Sequence, residues 1–140
     1  MKNLSVIIIT KNEERNIGRC LDSVVNLSDD IIVVDSGSED NTQKICKNYN
    51  VRFITNEFRD YSQQKNFANS LAKYNFILSI DADEALSPKL YESICSIELI
   101  GESNMAFSFN RLSFHCGQPI KHGGWYPDKK KRIFNKSIQW

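Results

Sequence analysis

Phe76-Ile77-Leu78-Ser79-Ile80-Asp81-Ala82-Asp83-Glu84 decides how this chain reads. Its first five residues, four of them strongly apolar, predict a buried strand covered on both faces, as in the middle of a parallel sheet. Three carboxylates follow within four positions, just past the strand's carboxyl end. In open α/β sheets ligands bind at that end. Asp81 and Asp83 are two apart, so a bent backbone can aim both at one point. A hard divalent cation, Mg²⁺ or Mn²⁺, shared with a phosphate, is their natural partner. A solvated acidic turn is the plainer alternative, and D-x-D alone does not exclude it.

The segments upstream repeat the same design. Residues 4–9 are a β-branched apolar run ended by Thr10-Lys11-Asn12-Glu13. Ile17, Cys20, Leu21, Val24 and Val25 then recur at helical spacing over about residues 15–26. Residues 31–34 predict a second strand, ended by Asp35-Ser36-Gly37-Ser38, and a helix from near Asp40 buries Thr42, Ile45, Cys46 and Tyr49. Residues 51–54 predict a third strand. Asp60 with Gln63 forms a capping box, opening a helix that turns Phe67, Ala68, Leu71 and Ala72 inward and ends near Lys73. Ser87-Pro88 predicts an N-cap and N1 proline for the helix after the acidic turn.

This β-α-β-α-β-α-β-α rhythm predicts a parallel sheet with right-handed crossovers and helices on both faces. After Glu102 the rhythm changes. Met105, Phe107 and Phe109 alternate with small or polar residues, a half-buried strand, and residues 129–134 predict another. Residues 111–140 read as appended to the sheet's edge within a single domain spanning 1–140, of which 1–100 form the main part and 101–140 a partial second part.

The chain has 140 residues, 41% hydrophobic and 25% charged, with net charge +1. That balance points to no nucleic-acid partner. Residues 1–100 hold 11 basic and 15 acidic side chains, whereas 101–140 hold 7 and 2. The back end is thus a basic surface suited to an anionic partner. With no long apolar run and no signal peptide, the expected location is cytoplasmic, and Lys129-Lys130-Lys131-Arg132 would favour an anionic membrane face or a solvated strand. Cys20, Cys46, Cys95 and Cys116 lack C-x-x-C spacing and read as reduced, mostly buried side chains. His115, Cys116 and His122 fit no zinc pattern.

Three polar clusters follow strand ends, and a parallel sheet puts all three on one rim. Asp35 suits a base or ribose contact, or else a turn that caps the next helix. There is no G-x-G-x-x-G and no Walker loop, so neither a dinucleotide fold nor a P-loop is indicated. A metal-dependent phosphohydrolase would need an aspartate where the first strand ends in Thr10.

Four blocks taken in order resemble the family 2 glycosyltransferases of GT-A fold: residues 4–13, residues 31–42, Gln64-Lys65-Asn66-Phe67-Ala68 and residues 78–84. Gly123-Gly124-Trp125-Tyr126-Pro127-Asp128 with Arg132-Ile133-Phe134 is similar to the branch that adds glucose to heptose in the lipopolysaccharide inner core. The resemblance covers about residues 4–134. It implies a GT-A, Rossmann-like, mostly parallel sheet flanked by helices, with a short β-rich extension after it. It also implies an inverting transferase that moves glucose from a UDP-sugar to an anionic saccharide or lipid-linked acceptor. By the same likeness Thr10, Glu13, Asp35, Lys65 and Asp81 contact the nucleotide, and Asp81 and Asp83 hold Mg²⁺ or Mn²⁺.

His122, Trp125, Asp128 and Arg132 fall on the acceptor side. Gly-Gly beside Trp125 allows a mobile loop, and a Trp face can stack on a sugar; Trp125 can equally pack as an aromatic closing the fold's edge. The family's general base lies in a motif beyond Trp140. The resemblance therefore reads the chain as a donor-binding part, with a non-catalytic nucleotide-sugar module as the alternative. An unpaired sheet edge would favour a homodimer.

Overall fold

A computed structural model describes residues 2–99, 106–111, 113–115, 118–120 and 128–137. The elements run β1 (Leu4–Thr10), α1 (Ile17–Asp22), β2 (Asp30–Asp35), α2 (Thr42–Cys46), β3 (Arg52–Thr55), α3 (Tyr61–Ser70), β4 (Phe76–Asp81) and α4 (Pro88–Ser96). After these come β5 (Ala106–Arg111), β6 (Ser113–His115), β7 (Gln118–Ile120) and β8 (Asp128–Asn135). Six strands form one sheet in the order β3-β2-β1-β4-β8-β5, and β6 pairs with β7 as a separate ribbon. β1 to β4 are parallel to their neighbours, whereas β8 runs antiparallel to both β4 and β5. This is the α/β, mostly parallel, helix-flanked architecture that the rhythm of the sequence predicts.

Side chains along each strand alternate between two apolar layers. Val6, Ile8, Val33, Leu78 and Ile133 join Ile17, Leu21 and Ile94 on the face that carries α1 and α4. Ile7, Ile32, Val34, Ile77 and Phe134 join Ala68 on the face that carries α3. Continuous apolar runs in β1, β2 and β4 follow from burial on both sides.

The caps form as the sequence reads. Asp60 accepts from the Gln63 N–H at 2.8 Å, and Ser87 from the Leu90 N–H at 3.1 Å with Pro88 behind it. Two helices are shorter than their apolar spacing predicts: α1 spans Ile17–Asp22 and α3 ends at Ser70. Turns, not helix, carry the remaining apolar positions into the core. Cys20 and Cys46 are buried, and burial pushes the Cys46 thiol up to about 11. Cys95 is exposed, and Cys116 lies outside the described residues.

One expectation is corrected. Within residues 111–140, β8 is not appended to the edge: it inserts between β4 and β5 and leaves β5 outermost among the described strands. Ile133 is fully buried there. No helix among the described residues is long and apolar enough to cross a membrane.

At the opposite end of the sheet, Asp30 ties three strands together. Its carboxylate accepts from Ser5 Oγ at 2.5 Å, Arg52 Nη2 at 2.7 Å and the Lys73 N–H at 2.8 Å. A buried carboxylate is tolerated where its lone pairs are met in this way.

If β8 is an interior strand, Ile133→Ala should lower unfolding free energy by about 3 kcal/mol, the usual range for emptying a closed core. Urea melts of the two proteins measure this. A loss below about 1 kcal/mol would place Ile133 at a loose edge.

Candidate active site

β1 and β4 lie side by side and end together. Thr10 pairs with Asp35 across β1 and β2, and Ile9 with Asp81 across β1 and β4. The strand order reverses about β1: the chain leaves it toward β2 on one side and returns through α3 to β4 on the other. That reversal opens a crevice at the carboxyl ends. The crevice holds a cleft of about 300 Å³. Thr10, Lys11 and Glu13 line it from the β1 loop, Ser36 from the β2 loop, and Asp81 and Asp83 from the β4 turn. Phe58 and Tyr61 line it from the segment around the start of α3.

The first two loops hold each other in shape. Asn12 takes φ 53°, a left-handed conformation that a short polar side chain tolerates. There its N–H donates to Ser38 Oγ at 2.7 Å, while its Oδ1 accepts from the Glu39 N–H at 2.8 Å. The Glu13 N–H donates to Thr42 Oγ1 at 2.9 Å, and Glu14 Oε2 accepts from the Asn41 N–H at 3.1 Å. Each loop therefore satisfies backbone groups of the other, including those at the start of α2.

Asp35 is only 3% exposed. Its carboxylate accepts from the Gly37 N–H at 3.0 Å, the Ser38 N–H at 2.8 Å and the Ser38 hydroxyl at 2.5 Å. Gly37 takes φ 91°, where a side chain would be strained. Asp35 thus shapes its own turn, and the residue the turn offers to the cleft is Ser36. Thr10 is 5% exposed, and its hydroxyl has no hydrogen-bond partner among the described residues. Thr10 thus lines the cleft as a residue, with the hydroxyl oxygen itself enclosed beneath the surface.

The acidic turn is braced from both faces of the sheet. From α1, Arg19 Nη2 donates to the Asp83 carbonyl at 2.9 Å. From β8, Arg132 Nη2 donates to Glu84 Oε1 at 2.6 Å, and its Nη1 lies 3.9 Å from Asp81 Oδ2. Glu84 Oε2 accepts from the Asp81 N–H at 2.9 Å. Burial pushes the Glu84 carboxyl above its ordinary range, against the pull of the Asp81 N–H and Arg132. Lys65, half-buried on α3, feels the same group of charges. Burial lowers its ammonium, Asp81 and Glu84 raise it, and Arg132 opposes them.

Thr10, Glu13, Asp81 and Asp83 therefore meet in one cleft, with Lys65 electrostatically coupled to the acids and Asp35 behind the wall. Arg132, read as an acceptor-side residue, contacts Glu84 and lies near Asp81. Asp128 begins β8 opposite Arg111, while His122 and Trp125 lie outside the described residues. Sequence reasoning missed Ser36, Phe58, Tyr61 and the Glu84–Arg132 pair. Phe58 and Tyr61 are the exposed large hydrophobic side chains among the described residues, at 41% and 72%. Their rings meet edge to face at 5.1 Å. Two aromatics flanking a polar N-cap were the available signal, since a cap keeps that end of a helix at the surface.

The donor set fits Mg²⁺ or Mn²⁺ better than a closed metal cage. Among the described residues no three His, Cys, Asp or Glu side chains converge on one point. Asp81 keeps 41% of its side chain exposed, and both it and Asp83 face the cleft. One or two carboxylates with open coordination positions suit a cation shared with phosphate oxygens.

Comparison with known proteins accords with this geometry. The Glycosyl transferase family 2 profile matches residues 5–133. An uncharacterised glycosyltransferase of Rickettsia typhi is 45% identical over 99% of this chain and 46% of its own length. The chain thus spans about half the length of the curated relatives it matches. The lipopolysaccharide core biosynthesis glycosyltransferase LpsC of Rhizobium meliloti is 35% identical over 70% of this chain and 40% of its own. Among solved structures, S. aureus TarS 1-349 in complex with UDP-GlcNAc aligns with TM-score 0.59 and 25% identity, covering 69% of this chain and 30% of TarS. With a profile match over nearly its whole length and the cleft at the strand reversal, the chain belongs to glycosyl transferase family 2.

Proposed function

We propose that this chain binds a UDP-sugar donor, with Mg²⁺ or Mn²⁺, for an inverting glycosyl transfer to a saccharide acceptor. The observation that carries the reading is one cleft at the carboxyl ends of β1 and β4 lined together by Thr10, Glu13, Ser36, Asp81 and Asp83. Thr10, Glu13 and Ser36 would meet the nucleoside, with Asp35 holding the turn that presents Ser36. Phe58 and Tyr61 offer aromatic faces to the base. Asp81 and Asp83 would hold the cation, which when bound offsets charge growing on the leaving diphosphate. Lys65 and Arg132 supply fixed positive charge at that same end. The likeness to LpsC and the basic residues at 129–132 support a lipopolysaccharide-type acceptor near an anionic membrane face; glucose is the sugar the motif resemblance implies.

Inversion requires a base to take the acceptor's proton. Glu84 is unsuited, because one oxygen is held by Arg132 and the other by the Asp81 N–H. That commitment favours a second reading, nucleotide-sugar binding without turnover by this chain alone. Glucosyl transfer by the 140-residue chain would exclude it.

Calorimetry should show UDP and UDP-glucose binding with Mn²⁺ present, and loss of binding on chelation. Asp83→Asn should weaken binding at least roughly tenfold, as expected for losing one of two carboxylate ligands. No UDP binding with either metal would contradict the proposal. Tyr61→Ala removes an exposed ring, so its melting temperature should match the parent's. UDP affinity should fall roughly fivefold, from about 1 kcal/mol of lost stacking. An unchanged affinity would remove Tyr61 from the base site.

A further inference from the structure

Arg132 reaches the acidic rim from β8, a strand fixed between β4 and β5, with its neighbours Ile133 and Phe134 buried on opposite faces. Its side chain is 11% exposed. Nη2 is 2.6 Å from Glu84 Oε1, and Nη1 is 3.4 Å from the Ser79 carbonyl and 3.9 Å from Asp81 Oδ2. The guanidinium is therefore held at the edge of the site that would take the cation. Around it, Asp81, Asp83 and Glu84 face three positive groups, Arg132, Lys65 and Arg19. The charges of the turn nearly cancel, leaving too little to attract a divalent ion strongly without nucleotide.

We propose that Arg132 makes cation binding at Asp81 and Asp83 conditional on the nucleoside diphosphate. This rests on the donor site proposed above. Without nucleotide, the fixed guanidinium beside Asp81 opposes a second positive charge on that carboxylate. A diphosphate brings negative oxygens that meet Arg132 and the cation together. Metal and nucleotide then strengthen each other's binding by the same factor, as linkage requires. Arg132 is here a positioning residue: it sets the charge at Asp81 and, through Glu84, the shape of the turn. Glu84 and the Ser79 carbonyl hold Arg132 at the turn in a partly buried pair, so its charge stays beside Asp81.

The test is Mn²⁺ binding, followed by electron paramagnetic resonance of the free ion, with and without UDP. UDP should tighten Mn²⁺ binding to the parent chain by more than roughly tenfold, given charges of this separation at a partly exposed site. Arg132→Gln should bind Mn²⁺ alone roughly tenfold more tightly, yet bind UDP at saturating Mn²⁺ roughly tenfold more weakly. Arg132→Lys keeps the charge and should stay near the parent in both. Opposite movement of the two affinities is a signature that simple loosening of the turn does not produce. Arg132→Gln weakening both, or changing neither, would overturn the proposal.

Should Arg132→Gln fail to fold, the parent decides: equal Mn²⁺ affinity with and without UDP overturns the inference. If the parent binds no UDP under any condition, the donor-site reading falls as well. UDP binding without coupling to Mn²⁺ removes this inference alone.

Discussion

The structure depends on β1 pairing in parallel with a strand on each side. β2 lies on one flank and β4 on the other, in registers that bring Thr10, Asp35 and Asp81 to neighbouring strand ends. Parallel pairing requires crossovers, and crossovers toward opposite flanks pass over opposite faces. The loops that follow β1, β2 and β4 therefore diverge at the carboxyl ends, and the space between them and the start of α3 is the cleft. Burial of β1 on both faces fixes this arrangement, since a shift of one residue would exchange the two apolar layers.

Charge at the rim follows from the same arrangement. The acidic turn after β4 would repel itself if left alone. It is held by a backbone contact from Arg19 on one face and by Arg132 on the other. Glu84 keeps Arg132 in place and leaves Asp81 and Asp83 toward the cleft. Loops that close such a site are often mobile. Here the β1 and β2 loops cap each other through Asn12, Ser38, Glu13 and Thr42. That wall is preformed, which reduces the ordering cost of binding.

Much of this was legible in the sequence because the signals are local. Apolar runs marked β1, β2 and β4, Asp60 and Ser87 marked helix starts, and polar clusters after strands marked the rim. What stayed hidden depends on pairing between distant residues. Nothing near residue 132 says that β8 enters the sheet beside β4, so Arg132 could not be placed against Glu84, 48 residues earlier. The left-handed turn at Asn12 was likewise invisible, since only the facing Ser38 and Glu39 make it favourable. Gln64 carries no apolar signal that would mark it as buried. Its burial follows from Asn56 and Ser36, which meet its amide from the loops after β3 and β2. Asp35 shows the converse limit. Its sequence left both a nucleoside contact and a turn open, and the bonds from Gly37 and Ser38 show that its carboxylate is used by its own turn.

A crystal structure with UDP and Mn²⁺ would show whether the rim at β1 and β4 takes the donor. Uridine is expected against Thr10 and Ser36, beside Phe58 and Tyr61, with Mn²⁺ held by Asp81 and Asp83. Nucleotide bound away from the carboxyl ends of β1 and β4, or Mn²⁺ held by other residues, would contradict this placement.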